Sequence, residues 1–166
     1  MEITITQEVK ELLYDIENKT HLTAQSREAE GTKNYQVASY IQASDEDSNI
    51  NQIRRSLTDA FSTLKITLSE YLNEEKTTAD NKIYTEIDNN SKLTISLEMP
   101  DNYDCSLLDS LSDNIHAYLV SKTIADWFTI TDREDADIYN KDALLRTTNI
   151  KMMIYKRKRP ERPTYN

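Results

Sequence analysis

The run Asn49-Ile-Asn-Gln-Ile-Arg-Arg-Ser-Leu-Thr-Asp-Ala-Phe-Ser-Thr-Leu-Lys-Ile-Thr-Leu-Ser-Glu-Tyr-Leu-Asn73 decides the fold. Ile50, Ile53, Leu57, Ala60, Phe61, Leu64, Leu68, Tyr71 and Leu72 recur in steps of three and four, with polar residues between them. That spacing puts the apolar side chains on one stripe of a helix over residues 49–73 and gives the opposite face to water. An uncapped helix of this length needs other helices against its stripe, so a bundle is expected.

Helical signals lie on both sides. Val9, Leu12, Leu13 and Ile16 predict a helix over residues 7–19, with Thr6 as its N-cap. Val37, Ala38, Tyr40 and Ile41 predict a short helix. Residues 23–30 show no stripe of large apolar side chains, and the acidic run 44–49 reads as a solvated turn. Leu108, Leu111, Ile115, Tyr118, Leu119, Ala125 and Phe128 predict a fourth helix over 106–128, capped by Asp104. Thr131-Asp-Arg-Glu134 has the spacing of a capping box, and Ala136, Tyr139, Ala143, Ile150 and Met153 predict a fifth helix over 132–156. The short link between these last two helices makes them antiparallel neighbours.

Between the third and fourth helices the period changes to two. Residues 74–81 read as a polar linker. Residues 83–87 and 92–99 alternate, most clearly at Leu93, Ile95, Leu97 and Met99, and Asp88-Asn-Asn-Ser91 carries turn chemistry. This predicts a β-hairpin over about 83–99, which must pack on the helices or pair with another chain. The fold class expected is therefore mainly α: a bundle of four to five helices with an inserted β-hairpin. The bundle takes residues 1–155, and residues 156–166 form a basic tail containing proline.

Bulk composition agrees. One Gly and three Pro in 166 residues leave little material for the turns of a many-stranded sandwich or barrel. Lone Cys105 has no partner for an internal disulfide, which fits a reducing compartment. Residues 1–8 lack the basic and apolar regions of a signal peptide, and no apolar run has the length of a membrane span. A soluble protein made in a cytoplasm, without a membrane partner, is expected.

Charge is split sharply along the chain. Residues 151–166 hold six Lys or Arg against one Glu, a local charge of +5, while the whole chain is −9, so the other 150 residues sum to −14. Five cations, Lys156, Arg157, Lys158, Arg159 and Arg162, fall within seven residues. Complementing a helix dipole needs fewer. These five are the candidate partner-binding residues, for phosphate or for an acidic subunit surface. No helix-turn-helix, zinc finger or aromatic-interleaved strand accompanies them, so base-specific readout is not expected.

Other residue types point to no chemistry. His21 and His116 are far apart and not in metal-ligand spacing. Cys105 opens a helix without a suggested histidine partner and reads as a packing residue. Glu28, Glu30, Asp45, Glu46 and Asp47 lack the calcium-loop pattern and its central Gly. A single Gly excludes glycine-rich phosphate loops and a Gly-x-Ser-x-Gly elbow. No catalytic, cofactor-binding or metal-binding residue is expected. Ala125-Asp-Trp-Phe-Thr-Ile130 reads as a core anchor whose indole N–H needs a partner.

The C-terminal half carries a resemblance. The fourth helix, then Ala125-Asp-Trp-Phe128, then a capped helix with Ala136 and Tyr139, then Lys156-Arg-Lys-Arg-Pro-Glu-Arg-Pro163, resembles a group of uncharacterised phage and prophage proteins of gut Bacteroidales. Arg27-Glu-Ala29 also looks like them. In size and helical layout these are similar to head-to-tail connector (adaptor) proteins of tailed bacteriophages. The resemblance implies a non-enzymatic viral structural protein of the neck. It would assemble as a homo-oligomeric ring, usually twelvefold, between portal and tail proteins of the virion, after synthesis in the bacterial host cytoplasm. The hairpin departs from a plain helical adaptor. It keeps open another neck or tail completion role, or a DNA-associated packaging or regulatory accessory whose basic tail makes non-specific phosphate contacts.

Overall fold

The computed structural model describes residues 1–31, 35–43, 47–79 and 88–160. The chain is mainly helical. Strand β1 (Glu2–Glu8) leads into helix α1 (Val9–Ala29), followed by α2 (Tyr35–Ile41) and α3 (Asp47–Leu68). Strand β2 (Lys92–Glu98), a 3₁₀ turn (Cys105–Leu107), α4 (Leu108–Thr131) and α5 (Arg133–Ile154) complete the described part.

Helix α4 is the centre. Leu111, Ile115, Tyr118, Leu119, Val120, Ile124, Ala125, Trp127 and Phe128 are all buried on it, around most of its circumference. A helix apolar on so many sides must be surrounded. α5 packs antiparallel along it, α3 and α1 cover other sides, and β1 touches its start. α3 contributes the stripe Ile53, Leu57, Ala60, Phe61, Leu64 and Leu68, each at most about 1% exposed. Burying such side chains, each worth about 1.5–3 kcal/mol, is what holds a bundle together.

The sheet pairs the first strand with one in the middle of the chain. β1 runs antiparallel to β2, with Glu2 opposite Glu98, Ile5 opposite Ile95 and Glu8 opposite Lys92. Ile3, Ile5 and Gln7 point inward from β1, and Leu93, Ile95 and Leu97 from β2. The like charges of Glu2 and Glu98 are separated by their partners. Lys76 Nζ lies 2.7 Å from both Glu2 oxygens, and Asn73 donates to Glu98 at 2.9 Å. The Lys76 bond, then Ser96, holds the Glu2 carboxyl below its usual range.

The other edge of β2 is also taken. Residues 71–78 run beside it. Asn73 N–H donates to Ser96 O, Thr78 N–H to Thr94 O, and Glu98 N–H to Tyr71 O, all within 2.9 Å. The Thr77 and Thr78 hydroxyls accept from the Ser96 and Thr94 amides. The segment expected to be a polar linker is therefore a hydrogen-bonded flank. Strand addition by another chain is blocked at β2. Residues 83–87, expected as the first hairpin strand, lie outside the described residues.

Four sequence expectations about helix ends are corrected. α3 ends at Leu68 and not at residue 73, because the chain at Tyr71 and Leu72 turns to pair with the β2 edge at Glu98 and Leu97. Thr6 is in β1, not at an N-cap. Glu8 occupies the cap of α1 without a side-chain bond. α1 also extends past residue 19 to Ala29, because Thr20 and Ala24 continue its buried stripe with small side chains. At α5 the cap is Asp132, whose carboxylate accepts from Glu134 N–H at 3.3 Å, whereas the Thr131 hydroxyl turns back to donate to Trp127 O. Asp104 caps the 3₁₀ turn that leads into α4, through Ser106 N–H at 3.0 Å, while Leu107 at the start of α4 itself makes no side-chain cap bond. Trp127 is buried and its indole donates to Ile41 O at 2.8 Å, tying the end of α2 to α4. Among the described residues, no helix is long and apolar enough to cross a membrane.

Candidate functional site

The basic segment begins where α5 ends at Ile154, with Tyr155 as its C-cap. It does not leave the body at once. Asp104 N–H donates to Lys156 O at 3.3 Å and Lys158 N–H to Asn102 O at 2.8 Å, with Tyr103 and Arg157 bridged between them. Residues 156–158 therefore form a short antiparallel pairing with the loop before α4. Pro100 and the turn after it present that loop: Tyr103 N–H bonds back to Pro100 O at 2.9 Å, and the Tyr103 side chain is fully buried.

Arg157 is the bolt of this root. Its Nη1 donates to Ile154 O at 2.8 Å, a carbonyl that the helix end leaves open, and to Lys156 O at 3.1 Å. Its Nη2 donates to the Tyr71 hydroxyl at 2.9 Å, and the guanidinium sits 5.8 Å from the Tyr71 ring centre. Tyr71 in turn meets Tyr155 edge-on at 6.0 Å, and Tyr155 donates to Glu70 at 2.6 Å. That bond, to a carboxylate, raises the Tyr155 hydroxyl pKa.

Lys156 is also engaged. Its ammonium donates to the Ser106 hydroxyl at 2.9 Å and lies 3.2 Å from Asp104 Oδ2. The Ser106 amide and hydroxyl, and then Lys156, hold the Asp104 carboxyl below its usual range.

The five candidate cations thus divide by role. Lys156 and Arg157 bind the segment to its own body. Lys158 and Arg159 are exposed, with no side-chain partner among the described residues. Arg162 lies outside the described residues. Sequence reasoning grouped all five because charge density carries no sign of which cations have internal partners. The partners that decide it, Tyr71, Asp104 and Ser106, lie 50 to 86 residues away.

The histidines are held separately. His116 Nε2 lies 2.6 Å from Asp15 and Nδ1 3.0 Å from Gln7, while Gln7 donates to Ser112. The chain of contacts fastens β1 and α1 to α4. His21 is on α1, and among the described residues no group of three acidic, His or Cys side chains is placed to hold a metal. Arg27 forms a bidentate pair with buried Asp135 of α5, 3.0 Å from Nε to Oδ2, and this contact raises the Arg27 pKa. Cys105 is partly exposed and packs against the core.

Compared with protein-family models, curated proteins and solved structures, the chain matches none.

Proposed function

We propose that the chain is a non-enzymatic structural subunit that docks on an acidic protein surface through its C-terminal cations, as a head-to-tail connector of a tailed phage would. The observation that carries this is the construction of the segment. Its root is paired by backbone to the loop at 102–104 and held there by Lys156 on Asp104 and by Arg157 on Tyr71, and Lys158 and Arg159 stand clear in solvent at a defined place. A simple solvated tail needs no such lock. A docking element gains from it, because less conformational freedom is lost on binding.

An acidic protein surface fits better than DNA. With Lys156 and Arg157 in use, at most three of the five candidate cations, Lys158, Arg159 and Arg162, remain for phosphates. The residues outside 151–166 carry −14, which repels a polyanion at long range. The same field suits a ring, where the cations of one copy meet the acidic body of the next or the portal beneath. The test is assembly with the double reversal Lys158→Glu and Arg159→Glu. Particles formed in the presence of this variant should lack it at the neck, while the variant keeps its fold by circular dichroism. Incorporation equal to the natural chain would overturn the docking role.

A further inference from the structure

Helix α5 is covered on one side only. Ala136, Ala143, Ile150, Met153 and Ile154 face the core, and α4 is the one element among the described residues that packs extensively along it. The opposite face mixes polar residues with a row of exposed apolar ones. Ile138, Leu145 and Met152 are 59%, 56% and 69% exposed, and Leu144 and Tyr155 are also largely exposed. Ile138, Lys141, Leu145, Thr148, Met152 and Tyr155 are spaced by three, four, three, four and three, the seam of a coiled coil. Single exposed apolar residues need no explanation, but a heptad row of them does.

Charge on this face indicates what covers it. The N-terminal half carries Glu134 and Asp137, and the C-terminal half carries Lys151. None of these three side chains has an ion-pair partner among the described residues. If a second α5 lies antiparallel with Leu145 on the two-fold axis, Ile138 of each copy falls near Met152 of the other. Asp137 then falls beside Lys151. Lys141 falls opposite Asn149 and Thr148, so it meets no like charge. The helix dipole explains acids at the start of a helix and a lysine at its end, but not the apolar row between them.

We propose that α5 is a self-association surface, and that two copies of this chain pair through it in antiparallel, two-fold fashion. The contact is isologous and closes at two copies. It is separate from the basic segment, which supplies the head-to-tail contact of a ring, and each can fail without the other.

The test places one cysteine on the axis. In the full chain with Cys105→Ser, Leu145→Cys should oxidise to a covalent dimer, because in an isologous contact the residue meets its own copy. Ile138→Cys alone should not, but an equimolar mixture of Ile138→Cys and Met152→Cys chains should give the mixed dimer. Light scattering of the natural chain should give twice the 19.3 kDa protomer at the lowest concentration where it associates. Leu145→Glu should raise that dissociation constant roughly a hundredfold. Asp137→Lys should weaken association about tenfold, and adding Lys151→Asp in the same chain should restore it. Leu145 is exposed, so its variants keep the fold, which circular dichroism verifies. A natural chain that stays at protomer mass at every accessible concentration overturns the proposal. So does an association untouched by Leu145→Glu, or a double charge swap that does not restore what the single swap removed.

Discussion

Trp127 shows what one residue contributes. The sequence places a large aromatic at the α4–α5 junction and requires a partner for its N–H, but it does not reveal that the partner is Ile41 O on α2. Trp127→Phe removes the donor, leaves that carbonyl buried and unpaired, and should lower stability by about 1–3 kcal/mol in urea unfolding. Arg157 gives a sharper contrast with its neighbours. Arg157→Ala removes three hydrogen bonds and should cost about 1–2 kcal/mol, whereas Arg159→Ala should stay within about 0.5 kcal/mol. Equal losses at both positions would mean that the segment is not rooted as described. The two arginines are indistinguishable in the sequence, because both sit in one unbroken basic run.

At the level of elements, periodicity carries most of the fold. The stripe from Ile53 to Leu68 marks α3, and Leu111 to Phe128 marks α4, because large apolar side chains repeat at the helical period there. α1 is legible only to about residue 19, since Thr20 and Ala24 bury small side chains that make a weak signal. β1 has a period-two pattern in Ile3, Ile5 and Gln7, but nothing local says that its partner is β2, some ninety residues on. The contact between residues 156–158 and the 102–104 loop is a further long-range pairing of this kind, and it titrates. The Asp104 carboxyl is depressed by Ser106 and Lys156. A carboxyl depressed in the folded state contributes stability that is present above the ordinary Asp range and fades as pH falls through the lower folded value. The segment should therefore loosen in acid before α3 and α4 unfold, seen as a lower protection factor for amide exchange at Lys158 below about pH 4. Asp104→Asn should show the lower protection factor already at neutral pH.

Across the whole molecule the charge split is the feature on which the proposed partners rest. The sequence shows a basic end on an acidic body but cannot show which cations are spent internally. With at most Lys151, Lys158, Arg159 and Arg162 of the basic stretch free for phosphates, DNA affinity should be weak, and its logarithm should fall against log salt with a slope no steeper than about −4. A steeper slope, measured by fluorescence anisotropy on a short duplex, would mean that Lys156 and Arg157 leave their partners to reach DNA. On the proposed reading, the locked segment and the outward face of α5 are the surfaces through which the subunit makes its contacts. The most direct test is quantitative mass spectrometry and electron microscopy of tailed particles from a phage that encodes this chain. The account predicts stoichiometric copies at the neck, between portal and tail. Complete, infectious particles that contain no copy of the chain would contradict it.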